Sequence, residues 1–296
     1  MKNYWLSIPL VLAVETAAQA FTLPEYGRTL PVAPEFAPAA AADYDFEGIV
    51  ALSNCSGSLI RFDDSQDSDP AMVLSNGHCT GMIEPGKVIL NQASSRSFDL
   101  FNSQVRKVGS LHASQLLYAT MTKSDMSLYQ VKESYQDIRR LYQIDALTLS
   151  REMPAVADRI EVLSGYWKLG YACQVEKIVD TLREGEWSFR SSIRYSSIGC
   201  NTKGGTSGSP VIAAGTRMVV AVNNTGNDAG KKCEVSTPCE VNADGSIVYA
   251  KGYSYAQQTF WLYSCRNDQG ALDFKAAGCL LPKPASAAEI KASNRS

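Results

Sequence analysis

Short apolar segments separated by polar turns fill most of the chain after residue 45. Segments of this length and spacing are typical of β-sandwiches and β-barrels rather than of alternating strands and helices. Residues 133–150, which are more helix-like or linker-like, divide them into two sets. The segments are residues 48–52, 58–62, 71–74, 87–90, 116–121 and 126–131, then 159–163, 171–179, 210–212, 218–222 and 246–250. The pattern predicts an all-β protein made of two β modules, closed by a helix over residues 253–263.

The composition permits a buried core and argues against nucleic-acid binding. Hydrophobic residues make up 45% of the chain and charged residues 20%, which is ordinary for a globular protein. Lys and Arg number 28 against 30 Asp and Glu, and the basic residues form no block. Proteins that bind nucleic acids cluster such residues against phosphates. We therefore expect no nucleic-acid partner.

The N-terminal residues have the pattern of a secretory signal peptide. Lys2 precedes the mostly apolar residues 4–14, and Ala18 and Ala20 are the small residues that a signal peptidase requires. A buried helix or a membrane anchor is the alternative, but the stretch is well short of the ~20 residues that span a bilayer. We therefore expect cleavage after residue 20 and a protein secreted to the extracellular space or periplasm, with no membrane partner.

Both ends of the remaining chain predict flexible segments. Residues 21–45 are rich in Pro and Ala and offer little to bury, which is typical of a leader or pro-segment. Residues 280–296 are interpreted as a flexible tail.

The number of cysteines also fits export, because disulfides form and persist in oxidising compartments. Eight cysteines allow 105 pairings, and their spacing alone does not choose among them. Zinc binding is the alternative, but the chain has no C-x-x-C pair and only two histidines. We expect disulfides and no metal or other cofactor. The cysteines are Cys55, Cys79, Cys173, Cys200, Cys233, Cys239, Cys265 and Cys279.

Residues 204–210, Gly-Gly-Thr-Ser-Gly-Ser-Pro, contain the candidate nucleophile. A serine hydroxyl attacks a carbonyl when a base takes its proton and dipoles stabilise the oxyanion that forms. Glycine lets the backbone turn so tightly that two amide N–H groups, those of Gly205 and Ser207, can point at one oxygen. We interpret Ser207 as the nucleophile beside a main-chain oxyanion hole. A simple Gly/Ser turn is the alternative.

A histidine base can come only from His78 or His112. His78 follows an apolar strand that runs into a turn, and Cys79 beside it can hold the backbone in place. His112 has no such context and is interpreted as a surface or partly buried residue.

Asp125, directly before an alternating strand, is the candidate carboxylate that orients the imidazole. Many aspartates in such positions only cap turns.

Four motifs together resemble the trypsin-like (chymotrypsin-fold) serine peptidases. They are residues 55–60, 74–79, 125–128 and 205–210, in the order His, Asp, Ser that the chymotrypsin-like enzymes share. Residues 200–205 and the Ser-Gly-Ser-Pro ending look most like the secreted bacterial branch that includes the glutamyl endopeptidases. The resemblance implies one domain over residues 46–279. It has two antiparallel β-barrels, about residues 46–150 and 151–265, and the active site lies in the cleft between them.

The resemblance also implies disulfides and a substrate pocket. Two disulfides follow from it, Cys55–Cys79 and Cys173–Cys200, and proximity in the chain adds Cys233–Cys239 and Cys265–Cys279.

The implied pocket residues are Asn201, Thr202, Asn223 and Asn224. Members that prefer Arg or Lys have an aspartate where Asn201 stands, and glutamyl endopeptidases have a histidine about where Asn223 falls. The motifs therefore imply neither a preference for Arg or Lys nor a preference for Glu. Most animal members carry an aspartate where Thr206 stands, so their activation by a new N-terminus is not implied here.

The sequence thus predicts a secreted, monomeric serine endopeptidase that cleaves protein or peptide substrates through an acyl-enzyme. A non-catalytic binding protein on the same fold is the alternative, since a fold does not fix a function. One further loop, with Asp63, Asp64, Asp67 and Asp69, could hold calcium, but the calcium-loop pattern is absent and a solvated hairpin loop is the simpler interpretation.

Overall fold

The computed structural model describes residues 43–196 and 199–284. The signal peptide predicted at residues 1–20, the leader up to residue 42 and the tail from residue 285 lie outside these ranges. Within them, no helix has the length and apolar character needed to cross a membrane.

The first half of the described chain is a closed β-barrel. Six strands form an antiparallel ring in the order β1, β5, β6, β7, β3, β2, and β2 returns to pair with β1. β4 pairs with β6 outside this ring. The strands are β1 (Ile49–Ala51), β2 (Ser56–Arg61), β3 (Pro70–Ser75), β4 (Val88–Ala93), β5 (Ser97–Phe101), β6 (Lys107–Thr120) and β7 (Met126–Ser134).

Strand β3 shows how the sequence pattern builds this barrel. Ala71 and Val73 pack into one apolar cluster, while Met72 and Leu74 pack into another. This is the period of two that a strand imposes on its side chains. Because both faces are buried, the strand is held firmly up to the turn that carries His78.

A helix and a short strand connect the two halves. Helix α1 (Tyr135–Tyr142) begins at a capping box, in which the Ser134 hydroxyl accepts from the Asp137 amide at 3.1 Å and the Asp137 carboxylate accepts from the Ser134 amide at 3.3 Å. Strand β8 (Leu147–Leu149) then pairs in parallel with β2 of the first half and with a strand of the second half. Backbone hydrogen bonds therefore continue from one half to the other.

The second half forms another ring of six antiparallel strands, in the order β9, β10, β11, β16, β13, β12. A short hairpin, β14 and β15, pairs with β10 outside the ring. The all-β fold class expected from the sequence is confirmed. The strands are β9 (Arg159–Ser164), β10 (Leu169–Glu184), β11 (Trp187–Tyr195), β12 (Pro210–Ala213), β13 (Met218–Gly226), β14 (Cys239–Val241), β15 (Ile247–Val248) and β16 (Ser254–Gln258).

The closing helix is shorter than the sequence pattern suggests. Ser254–Gln258 is the strand β16, and a 3₁₀ helix covers Phe260–Cys265. β16 pairs with both β11 and β13, so it closes the second barrel. These long-range backbone hydrogen bonds outweigh any local preference for a helix.

Every cysteine lies in the described part of the chain and forms a disulfide there. The bonds join Cys55 to Cys79, Cys173 to Cys200, Cys233 to Cys239 and Cys265 to Cys279.

The aspartate-rich loop is tied down by arginines. Asp63 pairs with Arg151 at 2.7 Å, Asp67 pairs with Arg61 and Arg139, and Asp64 pairs with Arg266. These ion pairs join the loop to three other segments. They explain why several carboxylates can lie close together in it.

Candidate active site

His78 lies in the turn that follows strand β3 of the first barrel. It begins a 3₁₀ turn, His78–Thr80, three residues after β3 ends, and the Cys55–Cys79 disulfide holds the next residue. Gly77 before it packs so closely that an added Cβ would lie 2.0 Å from the Thr120 carbonyl oxygen. Only glycine fits there, so the turn is fixed against the neighbouring strand.

Asp125 contacts His78 through both carboxylate oxygens. Oδ2 lies 2.7 Å from His78 Nδ1, and Oδ1 accepts the His78 backbone N–H at 3.0 Å. The Asp125 side chain is 2% exposed and that of His78 is 25% exposed. Asn76 holds the Asp125 backbone by donating its amide to the carbonyl oxygen at 2.9 Å. The carboxylate therefore fixes the ring orientation and leaves Nε2 as the nitrogen that faces the cavity.

The environment of His78 raises its pKa on balance. Burial lowers the pKa of His78, but the Asp125 carboxylate and its hydrogen bond raise it by more, and the Glu184 carboxylate adds to the increase. The pKa consequently lies above its ordinary value. An imidazole in this setting is well suited to accept a proton.

Ser207 lies in the loop between β11 and β12 and faces the same cavity as His78 and Asp125. The cavity volume is about 160 Å³. The Ser207 hydroxyl donates to the Asn224 carbonyl oxygen at 3.2 Å. Hydrogen bonds between a nucleophile and its base often form only when substrate is bound. For catalysis the Ser207 hydroxyl has to donate to His78 in place of the Asn224 carbonyl oxygen.

Some of the described backbone N–H groups around Ser207 are bonded within the protein, and others are not. The Thr206 amide donates to Lys203 and the Ser209 amide donates to Thr206, at 2.9 and 3.0 Å. Among the described residues, the amides of Gly205 and Ser207 donate to no protein acceptor. Gly205 has φ of +91°, a conformation that favours glycine. Two neighbouring free N–H groups are what a main-chain oxyanion hole requires.

Three of the four residues expected in a substrate pocket line the cavity: Thr202, Asn223 and Asn224. Asn201 is exposed and lies outside the lining. The Thr202 hydroxyl donates to Ser254 Oγ at 3.0 Å. Within the described ranges the buried side chains of Asn223 and Asn224 keep amide atoms with no partner. These amides give the cavity a polar lining.

The structure also places His112, and it brings together a group of potential metal ligands around His78. His112 is an exposed residue of β6 and does not line the cavity. Cys55, His78 and Cys79 bring potential ligand atoms within 4.8 Å of one another. Cys55 and Cys79 are bonded to each other, so they offer no thiolate to a metal.

Sequence reasoning missed Glu184 and Trp187, which flank the two-residue turn between β10 and β11 and line the cavity. Gly185 has φ of +55° in this turn. A glutamate before a glycine in an ordinary hairpin turn carries no signal of chemistry. Only the docking of the hairpin on the cavity distinguishes it.

Two closed antiparallel barrels with a histidine, an aspartate and a serine at one cavity are the features of a trypsin-like peptidase. A family model described as the trypsin-like peptidase domain matches residues 55–222, more than half of the chain. The chain belongs to this family, which confirms the resemblance seen in its motifs. Family and fold together support a peptidase.

Several solved structures are similar in fold. The MamO protease domain from Magnetospirillum magneticum is 10% identical, with 76% of this chain and 98% of that chain covered and a TM-score of 0.47. A Nocardiopsis protease is 13% identical, with coverage of 72% and 92% and a TM-score of 0.41. A Glu endopeptidase is 14% identical, with coverage of 72% and 85% and a TM-score of 0.41. A comparison with curated proteins finds no match.

Proposed function

We propose that this chain is a secreted serine endopeptidase that hydrolyses peptide bonds through an acyl-enzyme. The observation that carries the proposal is the contact of both Asp125 oxygens with His78 at the cavity that Ser207 also lines. A buried carboxylate that orients an imidazole beside a serine is the arrangement that activates a hydroxyl.

In the first step Ser207 Oγ attacks the carbonyl carbon of the scissile bond, and its proton passes to His78 Nε2. The negative charge develops on the carbonyl oxygen, where the N–H groups of Gly205 and Ser207 donate to it. His78 then gives the proton to the leaving amine as the C–N bond breaks. Asp125 stays ionised and stabilises the imidazolium.

The acyl-enzyme is resolved by the same groups. His78 takes a proton from a water molecule, whose oxygen attacks the ester carbonyl carbon. The bond to Ser207 Oγ breaks, and Oγ recovers its proton from His78. The cycle consumes one water and needs no cofactor.

Export and maturation belong to the same proposal. The predicted signal peptide would direct the chain out of the cytoplasm, where four disulfides can form. Residues 21–45 would act as a pro-segment, which makes the exported chain a zymogen. We expect the mature enzyme to work as a monomer on proteins and peptides.

Replacement of the nucleophile tests the proposal. Ser207→Ala should lower kcat on a peptide substrate by about 10⁶-fold, the scale found when a serine of this kind is removed. Ser209→Ala is the matched control, because Ser209 is buried two residues away and does not line the cavity. Retention of more than about a hundredth of the activity in folded Ser207→Ala would rule out Ser207 as the nucleophile.

A further inference from the structure

Glu184 is a carboxylate beside His78 that the proposed reaction does not use. It ends β10 and lines the cavity together with Trp187. His78 and Asp125 line the same cavity, and the charge of Glu184 interacts with both. Glu184 and Ser207 line the same cavity, so a peptide bound there can contact both side chains.

The Glu184 carboxylate is held by neutral donors, and the basic group that acts on it is the imidazole of His78. The Ser236 backbone N–H donates to Oε1 at 2.7 Å, and the Thr225 side chain also stabilises the carboxylate. Among the described residues, no Lys or Arg pairs with it. Carboxylates that are partly buried in proteins usually have a cationic partner. In the described part of the chain no Lys or Arg is that partner, although the fold fixes the carboxylate in position.

The other charged groups of the cavity do not fill this role. Asp228 adds a second carboxylate outside the His78 pair, with Lys251 as its nearby cation. Lys203 is the basic residue of the lining, but its Nζ lies over the Trp167 ring, 3.9 Å from the centroid. Among the residues that line the cavity, the carboxylates of Asp125, Glu184 and Asp228 outnumber the basic side chains of His78 and Lys203.

Trp187 supplies the apolar surface that a long cationic side chain also needs. Its ring is fixed because Nε1 donates to the Ile83 carbonyl oxygen at 2.8 Å. Lys and Arg cover apolar surface with their aliphatic stems while the charged ends reach polar partners. An indole next to a carboxylate matches both parts of such a side chain.

A small disulfide loop keeps Glu184 in place. The Cys233–Cys239 bond closes the loop that contains Ser236, the donor to Glu184. The Gly185 backbone N–H donates to the Cys233 carbonyl oxygen at 2.9 Å, which ties the hairpin turn to the same loop. Strand β14 then pairs with β10. Ordering a carboxylate in this way is typical of a binding site, where the group must be held ready for its ligand.

Resting on the serine peptidase function proposed above, we propose that Glu184 forms an acidic subsite that binds a Lys or Arg side chain of the peptide substrate close to the scissile bond. Glu184 pairs with the cation, and Trp187 contacts the stem. Substrates with a basic residue at that position are the preferred class.

The test compares matched substrates and matched variants. Profiling a peptide library identifies the position at which wild-type enzyme prefers Lys or Arg, and two peptides that differ only by Lys or norleucine there give the ratio of their kcat/KM values. Glu184→Gln should lower this ratio by about tenfold or more, the size of a charge-assisted hydrogen bond. Glu186→Gln, an exposed residue of the same turn, should leave the ratio unchanged.

A loss of equal size on both peptides would mean that Glu184 acts through His78 or through stability, and would overturn the proposal. So would the absence of any basic preference in wild-type enzyme that cleaves the norleucine peptide. Both results leave the peptidase function intact.

A binding measurement keeps the two proposals separate. Ser207→Ala in an otherwise intact chain should bind the Lys peptide more tightly than the norleucine peptide by fluorescence polarisation, and Ser207→Ala with Glu184→Gln should not. This binding measurement needs no turnover, so it tests whether Glu184 binds the Lys side chain even if the wild-type protein cleaves nothing. Equal binding of both peptides by Ser207→Ala would overturn the subsite.

Discussion

His78 and Asp125 are joined by two hydrogen bonds. One carboxylate oxygen fixes the ring and the other accepts the His78 backbone N–H, so side chain and main chain are positioned together. The arrangement has an electrostatic result as well as a geometric one. Asp125 holds the pKa of His78 above its ordinary value.

Asp125→Asn should affect both properties. A neutral amide can hold the wrong tautomer of His78, and turnover should fall by about 10⁴-fold, the scale found for the same change in another serine peptidase. Loss of the charge should also lower the pKa of His78. Because the proposed base works unprotonated, the acid limb of the kcat/KM profile should move to lower pH in the variant.

Asp180→Asn is the control for this variant, since Asp180 is an exposed carboxylate of β10. The pKa of His78 can be followed by NMR and compared with the acid limb of the rate profile. A fall in rate of less than tenfold, or an acid limb that moves to higher pH, would show that another group orients His78.

The sequence indicates the candidate catalytic residues but not every residue that lines the cavity. Ser207, His78 and Asp125 stand in motifs that specify a glycine-rich turn, a strand end and a strand start, and these local features are visible in sequence. Glu184 stands in an ordinary hairpin turn, and it reaches the cavity only because the hairpin docks beside a loop some fifty residues later in the chain. Asn201 was expected in the pocket, but the turn there directs Thr202 inward and leaves Asn201 exposed.

At the scale of elements, the disulfides differ in what they hold. Cys55–Cys79 joins the segment before β2 to the turn of His78. Cys265–Cys279 joins the 3₁₀ helix to the C-terminal segment, where Phe274 stacks on Tyr118 with ring centroids 4.7 Å apart. Neither of these last two cysteines lines the cavity.

We therefore expect the two bonds to have separable effects. Replacing Cys55 and Cys79 together with serine should cost about 2–5 kcal/mol of unfolding free energy. It should also loosen His78, and a displacement of about 1 Å can lower the rate by about 10²-fold. Replacing Cys265 and Cys279 together should lower Tm with little change in kcat/KM. Thermal unfolding and assays at a temperature where both variants are folded separate these outcomes.

Equal loss of kcat/KM in the two double variants would argue against a special role for Cys55–Cys79. Mass mapping of the oxidised wild-type protein gives an independent check. A free Cys79 thiol, or Cys79 bonded to a residue other than Cys55, would remove the basis of this prediction.

A strand or helix can be predicted from the sequence when its own residues carry the pattern. The alternation of β3 is visible in its four apolar residues, and the capping box of α1 is visible in Ser134 and Asp137. β16 was not visible, because the residues Ser254–Gln258 become a strand through pairing with β11 and β13. Pairing between distant segments has no signature in either segment alone.

At the scale of the whole molecule, the candidate site depends on the docking of the two barrels. Ser56, at the start of β2, donates its backbone N–H to the Ser207 carbonyl oxygen at 2.8 Å. Its hydroxyl donates to the Gly205 carbonyl oxygen at 3.1 Å and lies 3.0 Å from Ser164 Oγ. A residue of the first barrel thus holds the Ser207 loop of the second. His78 and Asp125 come from the first barrel, so neither barrel contains the full set.

The order of the three residues in the sequence suggests the site, but it does not indicate whether the Ser207 hydroxyl is reactive. The order of His78, Asp125 and Ser207 fits a peptidase, yet a binding protein on this fold could keep all three. The Ser207 hydroxyl, which donates to Asn224 in the structure, must be able to turn toward His78 for catalysis. Reactivity of that hydroxyl is the property that separates a peptidase from a binding protein.

Labelling with a fluorophosphonate measures this reactivity directly, since the probe forms a bond only with an activated serine. Protein recovered after export should gain one adduct, located by mass spectrometry on the peptide that contains Ser207. The adduct should be absent in Ser207→Ala and present in Ser209→Ala. A folded wild-type protein that gains no adduct, or gains it at another serine, would contradict the assignment of this chain as a serine peptidase acting through Ser207.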